Sequence, residues 1–342
     1  MISFVWPSNE AMLAGTGGSE TFTAGHVREL VRRGIDTQIV IVGTAITRSR
    51  QSFPDLPFLG LSHEEQISDL PGTVVFINQS YDVPTRHKAV IILHCAVPSK
   101  VEQHERKKDT LGKVIIATSV YNAQQWALYL KIPSKSIDVV MPFADPIYGN
   151  VRRSKPGKKV RVLYAGRLHP EKGIYTILEM MHQYEMGVLD VQMSIIMAGQ
   201  HVEEGKTIAR MLTGYTYAKL LDPRKTVGSM AELLAKTDVL LMPSVFAEPF
   251  GMLSVEAQHS GCRVIASSLG GLPETNCGLL TLVEERNPQA LITAIGEAIA
   301  LGLSTIKERK YAAHEFTLGS SVDSLLRYLP REPLSQRSRH AS

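Results

Sequence analysis

Residues 239–261 read VLLMPSVFAEPFGMLSVEAQHSG, which joins a short apolar run, a turn and a helix-like segment. The run Val239–Met242 is typical of a strand that is buried on both faces of a sheet. Pro249 suits the first turn of a helix and Gly261 is a helix-stop signal, so the sequence predicts a helix between them. A buried strand followed directly by a helix is the repeating unit of a parallel α/β sheet.

The same alternation of apolar runs and helix-like segments extends over most of the chain. In the first half the runs are Ile2–Trp6, Gln38–Val42, Thr73–Ile77, Ala89–Leu93, Val114–Ala117 and Ile137–Met141. In the second half they are Lys159–Tyr164, Gln192–Met197, Val239–Met242, Arg263–Ala266 and Leu279–Val283. The pattern predicts an α/β fold of two Rossmann-like, doubly wound domains facing a central cleft.

A basic stretch that contains Pro and Gly, residues 151–159, separates the two sets of runs and is predicted to be a linker. The predicted domains are therefore residues 1–150 and 151–330. The polar, Arg-rich tail, residues 331–342, is predicted to be disordered.

Composition narrows the class of protein. The 342 residues are 44% hydrophobic and 20% charged, which excludes a chain that is disordered or fibrous as a whole. No run approaches the roughly 18 apolar residues of a membrane span. Three cysteines without zinc-site spacing suit a reducing cytoplasm. A net charge of +4 is too mild to indicate a nucleic-acid partner.

The first motif that could bind a ligand is the glycine-rich segment Gly15-Thr-Gly-Gly-Ser-Glu20. Ser19 is a good N-cap for a helix that would end at Arg33, with Gly34 after it. Glycines before a helix start let backbone N–H groups approach a phosphate. A dinucleotide fingerprint would need glycine where Glu20 stands, so a flexible loop without a ligand remains the alternative.

Two further segments follow predicted strands. Arg167 and Lys172, beside a glycine-containing turn, are suited to holding a diphosphate, although solvated charges at a helix entry would look the same. Glu248 is expected just before the helix that starts near Pro249, with Glu256 about two turns along it. Two carboxylates that bracket a helix start after a strand favour a binding site over a plain surface helix.

His94 directly follows the run Ala89–Leu93. A single histidine at the end of a strand can be structural or catalytic, and both interpretations stay open. The carboxyl edge of a parallel sheet is where such folds bind ligands, which is the argument for a functional role.

Taken together, these residues resemble the retaining glycosyltransferases of family 4, which have the GT-B fold. The resemblance rests on Gly17 and Gly18, on His94, and on Ser119 in Ala-Thr-Ser-Val-Tyr. It continues through Pro142-Phe-Ala-Asp, Gly-Arg167-Leu, Glu-Lys172-Gly, Ala-Gly199, Pro243-Ser, the pair Glu248 and Glu256, Gly261-Cys-Arg-Val-Ile-Ala, and Gly270-Gly-Leu-Pro-Glu.

The resemblance implies roles for individual residues. Glu256 would bind the ribose hydroxyls of a nucleotide sugar, Arg167 and Lys172 would neutralise its diphosphate, and Glu248 would contact its sugar. His94 would approach the sugar from the other domain, and it stands with Glu248, Arg167 and Lys172 as a candidate catalytic residue. Further substrate contacts are implied for Gly17, Gly18, Gly199, Phe250, Gly251, Met252 and Leu253.

The activity implied is retaining transfer of a hexose from a nucleoside diphosphate sugar, with UDP-glucose favoured, to a carbohydrate or lipid-linked acceptor. No metal cofactor is expected, because the sequence has no Asp-x-Asp pair to chelate one. A cytoplasmic enzyme of envelope or exopolysaccharide synthesis is implied. Contact with the inner face of the membrane through residues 100–113 is one interpretation, and a solvated helix face is the other.

Three alternatives remain at this point. A nucleotide-sugar epimerase would use the same two-domain scaffold, and a non-catalytic protein would bind the nucleotide sugar without transferring it. An NAD-dependent dehydrogenase is disfavoured by the broken glycine fingerprint. The fold alone does not separate these functions.

Overall fold

The computed structural model describes residues 1–15, 17–98, 110–167, 170–184, 191–198, 202–222, 224 and 226–329. The strands are β1 (Ile2–Trp6), β2 (Thr37–Val42), β3 (Phe58–Leu61), β4 (Thr73–Ile77), β5 (Val90–Leu93), β6 (Val114–Ala117), β7 (Ile137–Val139), β8 (Val160–Arg167), β9 (Val191–Ala198), β10 (Ala218–Leu221), β11 (Val239–Met242), β12 (Arg263–Ser267) and β13 (Leu280–Val283). The α-helices are α1 (Gly18–Arg32), α2 (Ile46–Ser52), α3 (Val120–Leu130), α4 (Pro146–Asn150), α5 (Ile174–Tyr184), α6 (Val202–Leu212), α7 (Val227–Leu234), α8 (Met252–His259), α9 (Pro288–Leu301), α10 (Ile306–Ala312) and α11 (Leu318–Tyr328).

The strands form two parallel sheets. The first has the order β3-β2-β1-β4-β5-β6-β7, and the second has the order β10-β9-β8-β11-β12-β13. Both orders run outward from a central strand in two directions, which is the doubly wound arrangement. The predicted α/β fold class with two such sheets is confirmed.

Both faces of the central part of β8 in the second sheet are buried, as a continuous apolar strand requires. Val162 and Tyr164 of β8 pack in a cluster with Ile177 of α5. Their neighbour Leu163 points to the opposite face and packs in a cluster with Val255 of α8. This alternation explains why strand β8 has no polar face in its central residues.

Two strands, β3 and β10, were not predicted from the sequence. Each is the outermost strand of its sheet. The residues of β3 and β10 are half-buried or exposed, so neither strand has the continuous apolar run that marks the central strands. An edge strand is paired on one side only and is partly exposed to water, so it does not need such a run.

The chain folds into two compact units. Unit 1 comprises residues 1–118, 123–140 and 319–342, and unit 2 comprises residues 119–122 and 141–318. Within unit 1, α11 returns to α1, where Ser321 Oγ lies 3.2 Å from His26 Nε2 and Arg33 pairs with Asp323 at 2.5 Å. The sequence placed the division between residues 150 and 151 and kept this returning helix with the second domain.

The interpretation of residues 151–159 as a linker needs correction. These residues lie in unit 2, and Arg153 among them is buried. Its guanidinium donates to the carbonyl oxygens of Thr237 and Ser260 and to the carboxylate of Asp238. A charged side chain that is buried in this way anchors the segment to the domain.

Three sequence predictions fall outside the described residues. They are the disordered tail at residues 331–342, most of the membrane-contact segment at residues 100–113, and Gly199. Among the described helices, none is long and apolar enough to cross a membrane.

Candidate functional site

The carboxyl edge of the second sheet brings Lys172 and Glu248 together. Lys172 ends a 3₁₀ turn, Pro170–Lys172, that follows β8. Its Nζ lies 2.9 Å from Glu248 Oε1 and 4.8 Å from the centre of the Phe246 ring. The pair is mostly buried, with 20% of the Lys172 side chain and 9% of the Glu248 side chain exposed. Lys172 and Glu248, which are 76 positions apart in the sequence, thus form an ion pair.

Gly173 makes this approach possible. Its φ of +77° lies in the left-handed region, and a Cβ there would fall 1.9 Å from the carbonyl oxygen of Pro243, which follows β11. Only glycine permits both the conformation and the contact. The turns after β8 and β11 are therefore locked side by side, and Val245 N–H donates to the Glu171 carbonyl oxygen at 2.8 Å.

The surroundings of Glu248 hold its carboxylate in place. The hydroxyl of Ser244 donates to Glu248 Oε1, the same oxygen that Lys172 contacts. On the backbone side, Gly271 N–H donates to the Glu248 carbonyl oxygen at 2.7 Å. A Cβ on Gly270 would lie 2.4 Å from that same oxygen. Ser244 and the glycine pair are thus positioning elements for Glu248.

Tyr164 lies beneath the same turn and is buried. Its hydroxyl donates to the Lys172 carbonyl oxygen at 3.3 Å. Burial, and then the negative charge of Glu248, raise the pKa of the Tyr164 hydroxyl. Tyr164 therefore stays neutral and acts as a support for the turn rather than as an acid or base.

Helix α8 begins at Met252, and Pro249 lies in the loop before it, so the prediction of a start near Pro249 was wrong. The N-cap is Gly251, whose φ of +114° cannot continue a right-handed helix backward. A Cβ on Gly251 would lie 2.6 Å from Leu272 Cδ2, so close packing selects glycine there as well. As a result Glu248 lies four residues before the helix, and Glu256 lies about one turn along it rather than two.

The N-cap of α8, Gly251, has no side chain that could cap the helix. The Ser254 amide donates to the Gly251 carbonyl oxygen, so Met252 and Leu253 have the amides that this helix start can offer to an anion, which the helix dipole favours there. Met252 and Leu253 in this turn are half-buried, whereas Phe250 before it is buried and packs edge-to-face on Phe316, with ring centres 5.7 Å apart.

Glu256 has a hydrogen-bond partner that the sequence did not indicate. Tyr148 on α4 is buried, and its hydroxyl donates to the Glu256 carboxylate. Burial raises the pKa of Glu256 to about 7; the Tyr148 hydrogen bond opposes this shift and the charge of Asp145 adds to it. A carboxyl with this pKa is close to half ionised at neutral pH, so it can accept hydrogen bonds from ligand hydroxyls in its charged form.

Arg167 is the last residue of β8, and its backbone pairs in register with Ala198 at the end of β9. Both strand ends thus lie at the edge that carries Lys172 and Glu248. The Arg167 side chain and Gly199 lie outside the described part of the structure, so their predicted contacts stay predictions.

His94 lies in unit 1, at the end of β5. Its ring packs edge-on against Phe22 with ring centres 4.6 Å apart, and its Nε2 atom is buried without a partner among the described residues. Burial, and then the charge of His26, lower the pKa of His94 to about 3. His94 is therefore uncharged at neutral pH and can act only as a neutral donor or acceptor there.

Asn78 links His94 to the glycine-rich start of α1 by hydrogen bonds to both. The Asn78 side chain accepts from His94 N–H at 2.7 Å and donates to Ser19 Oγ at 3.2 Å. Gly17, not Ser19, is the N-cap of α1, so the predicted cap was wrong; the Ser19 hydroxyl bonds to Asn78 instead. Gly17 and Gly18 are exposed at this helix start. Asn78 directly follows the apolar run Thr73–Ile77. Its position at the carboxyl end of a predicted strand is the sequence feature that could have identified it as a candidate.

In the described part of the chain, no group of three or more His, Cys, Asp and Glu side chains is arranged to hold a metal ion.

Residues 159–300 match the family model for glycosyl transferases group 1. The matched residues lie within unit 2. Among curated relatives, an alpha-maltose-1-phosphate synthase of Mycobacterium tuberculosis is 27% identical over 33% of this chain and 29% of its own length. A D-inositol 3-phosphate glycosyltransferase of Corynebacterium urealyticum is 25% identical over 56% of this chain and 47% of its own length. The chain thus spans less than half the length of these two relatives.

Solved structures match over almost the whole chain. A glycosyltransferase of Rickettsia africae has a TM-score of 0.76 at 18% identity and covers 96% of this chain and 97% of its own. HepE of Anabaena, in complex with UDP, has a TM-score of 0.75 at 16% identity and covers 95% and 98%. At this identity the likeness concerns the fold, and the chain has the two-domain GT-B fold.

Proposed function

We propose that the protein is a retaining glycosyltransferase that moves a hexose from a nucleoside diphosphate sugar to a carbohydrate acceptor. The observation that carries the proposal is the ion pair of Lys172 and Glu248 at a sheet edge that also presents the uncapped start of α8. A cation and free amides suit a diphosphate, and a buried carboxylate beside them suits sugar hydroxyls.

In the proposed reaction, an acceptor hydroxyl attacks the anomeric carbon from the face that the diphosphate leaves. The bond between the anomeric carbon and the phosphate oxygen breaks with its electron pair going to the diphosphate. The acceptor proton passes to an oxygen of the departing phosphate, so the products are the glycoside and the nucleoside diphosphate. Lys172, Arg167 and the α8 amides would stabilise the growing negative charge, which is the main demand of this transition state.

Glu256 is proposed to bind the ribose of the donor. Its carboxylate is on the same helix as the phosphate-binding amides, one turn farther on, and a ribose lies next to the phosphates in every nucleotide. Two ribose hydroxyls can donate to one ionised carboxylate. UDP-glucose is the favoured donor, and the complex of HepE with UDP-glucose, on a similar fold, supports testing it first.

His94 and the start of α1 are proposed to serve the sugar and the acceptor. The unpartnered Nε2 of His94 needs a hydrogen-bond partner, because a buried polar atom without one costs about 1–3 kcal/mol. A hydroxyl of the bound sugar would supply that partner. An acceptor from envelope or exopolysaccharide synthesis, metal-independent transfer and a cytoplasmic location complete the proposal.

The test is a thermal-shift panel of UDP-, GDP- and ADP-sugars, followed by transfer assays with the donor that stabilises the protein. A ligand present at 100 times its Kd should stabilise the fold by about 2.7 kcal/mol. The anomeric configuration of the product, read by NMR, decides between retention and inversion. Turnover of the nucleotide sugar without any acceptor would favour an epimerase, and binding without turnover would favour a non-catalytic protein.

A further inference from the structure

We propose that unit 2 has a second binding site, at the amino edge of its sheet, for a phosphorylated molecule of about the size of a sugar phosphate. The site is a cavity of about 530 Å³. It is lined by residues 157–159 and Arg161 at the start of β8, and by residues 216–219 at the start of β10. A volume of this order is usual for sites that bind small molecules.

The cavity is distinct from the site at Lys172 and Glu248. Strand β8 has eight residues, and it begins at the cavity and ends near Lys172. With a rise of about 3.3 Å per residue, its two ends are about 23 Å apart. One small ligand cannot reach both edges of the sheet.

The register of the sheet places two of the cavity's cationic side chains, those of Arg161 and Lys219, on one face. Arg161 pairs with Gln192 of β9, and Lys219 of β10 pairs with Ser194 of β9. Residues two apart on a strand point to the same face, so Arg161 and Lys219 share a face across β9. Strands β8 and β10, on either side of β9, are then about 10 Å apart, which sets the width of the cavity.

Four of the eight lining residues are cationic, and none is a carboxylate. Arg161 is already paired, because its Nε and Nη2 donate to Asp238 at 2.9 and 2.6 Å. The positive potential of the cavity is therefore assigned to Lys158 and Lys219. In the described part of the chain neither Lys158 nor Lys219 forms an ion pair with a carboxylate.

Tyr217 forms part of the wall between these lysines. The Tyr217 hydroxyl donates to the Met181 carbonyl oxygen at 2.8 Å, and its ring packs against Tyr215. The proton of that hydroxyl is already donated, so Tyr217 offers a ligand mainly its ring, while Thr216 offers an exposed hydroxyl. Lysine ammonium groups bind phosphate as point charges, and the ring and hydroxyl suit an organic part beyond the phosphate.

The test is calorimetric titration of the full chain with glucose 6-phosphate, inorganic phosphate and glucose. The variants are Lys158→Ala, Lys219→Ala and the double variant, with Lys307→Ala, an exposed lysine on α10, as the matched control. The double variant Lys172→Met with Glu248→Gln, which removes both members of the ion pair, is titrated as well, so that phosphate bound at the carboxyl edge is recognised. Sedimentation with vesicles of phosphatidylglycerol and phosphatidylcholine tests whether a lipid headgroup is the source of the phosphate.

Glucose 6-phosphate should bind with equal affinity to the wild type, to the Lys307 variant and to the double variant of Lys172 and Glu248. Each lysine variant of the cavity should weaken it about tenfold, and affinity should fall as salt rises. The inference would be overturned by unchanged affinity in the Lys158→Ala, Lys219→Ala variant, by loss of binding in the folded Lys172→Met, Glu248→Gln variant, or by equal binding of glucose. Equal binding of inorganic phosphate would refute a ligand larger than phosphate, and binding to the vesicles alone would refute a soluble ligand. None of these outcomes depends on whether the protein transfers sugars.

Discussion

Replacing Lys172 by methionine keeps most of the apolar stem of the side chain and removes its charge. The change should destabilise unit 2 strongly, because the Glu248 carboxylate loses its cation. Glu248 would then remain as a mostly buried carboxylate, with the Ser244 hydroxyl as its remaining side-chain partner. Removing one member of a buried ion pair typically costs 3–5 kcal/mol. Because 20% of Lys172 is exposed to water, the lower end of that range applies, about 3 kcal/mol.

For a unit of this size, 1 kcal/mol shifts the melting temperature by about 2–4 °C, so the variant should melt roughly 6–12 °C lower. Scanning calorimetry and urea unfolding measure the effect. The double variant Lys172→Met with Glu248→Gln should recover to within about 1 kcal/mol of the wild type, since glutamine still accepts from Ser244 and carries no charge. Neither variant should transfer sugar if the proposed function holds.

Lys236→Met, at an exposed lysine after α7, is the control and should leave stability unchanged. The reasoning is refuted if Lys172→Met melts like the wild type. It is also refuted if the losses of the two single variants simply add in the double variant, because contacting charges must couple.

The remaining predictions concern four other features. Because the folded-state pKa of Glu256 is raised to about 7, folded protein holds a proton that the unfolded chain releases above about pH 4.5. Stability from this group should therefore fall by up to about 3 kcal/mol as pH rises from about 4.5 through 7, and unfolding curves of Glu256→Gln should lack that slope. In binding calorimetry, Glu256→Ala should weaken the nucleotide ten- to a hundredfold, and unchanged affinity would remove Glu256 from the ribose site. His94→Ala should reduce transfer strongly while leaving UDP affinity near the wild-type value; a destabilised variant with full specific activity would instead make His94 structural. Asp238→Asn leaves the guanidinium groups of Arg153 and Arg161 without their anion, so it should lower the free energy of unfolding by about 3–5 kcal/mol and spare nucleotide affinity, as denaturant titration and calorimetry would measure. Transfer should survive EDTA, and an obligatory Mg²⁺ or Mn²⁺ requirement would contradict the proposed stabilisation of the leaving group.

The two doubly wound sheets could be predicted because their central strands are coded locally. β1, β4 and β11 begin and end at the residues that the apolar runs indicated. A strand buried on both faces needs an uninterrupted apolar run, and that requirement is visible in four or five consecutive residues. The residues that end α8, Ser260 and Gly261, were readable for the same reason, since a helix stop depends on local backbone conformation.

The start of α8 shows where local signals fail. Proline at position 249 is compatible with a first helical turn, but it is equally compatible with the loop that it occupies. The packing of Leu272 against Gly251 decides between the two, and Leu272 is 21 residues away in the sequence. Edge strands such as β10 were missed because their exposure is a property of the assembled sheet.

What the sequence by itself determined is therefore the fold class, the central strands and the identity of Lys172, Glu248 and Glu256 as candidates. What only the tertiary structure decided is their partners: Glu248 for Lys172, Tyr148 for Glu256, and Asn78 between His94 and the start of α1. The physical reason is range. Backbone conformation and burial produce periodic patterns of residue types along the chain. An ion pair or a hydrogen bond acts over about 3 Å in space, and no sequence pattern shows which distant residue is the partner.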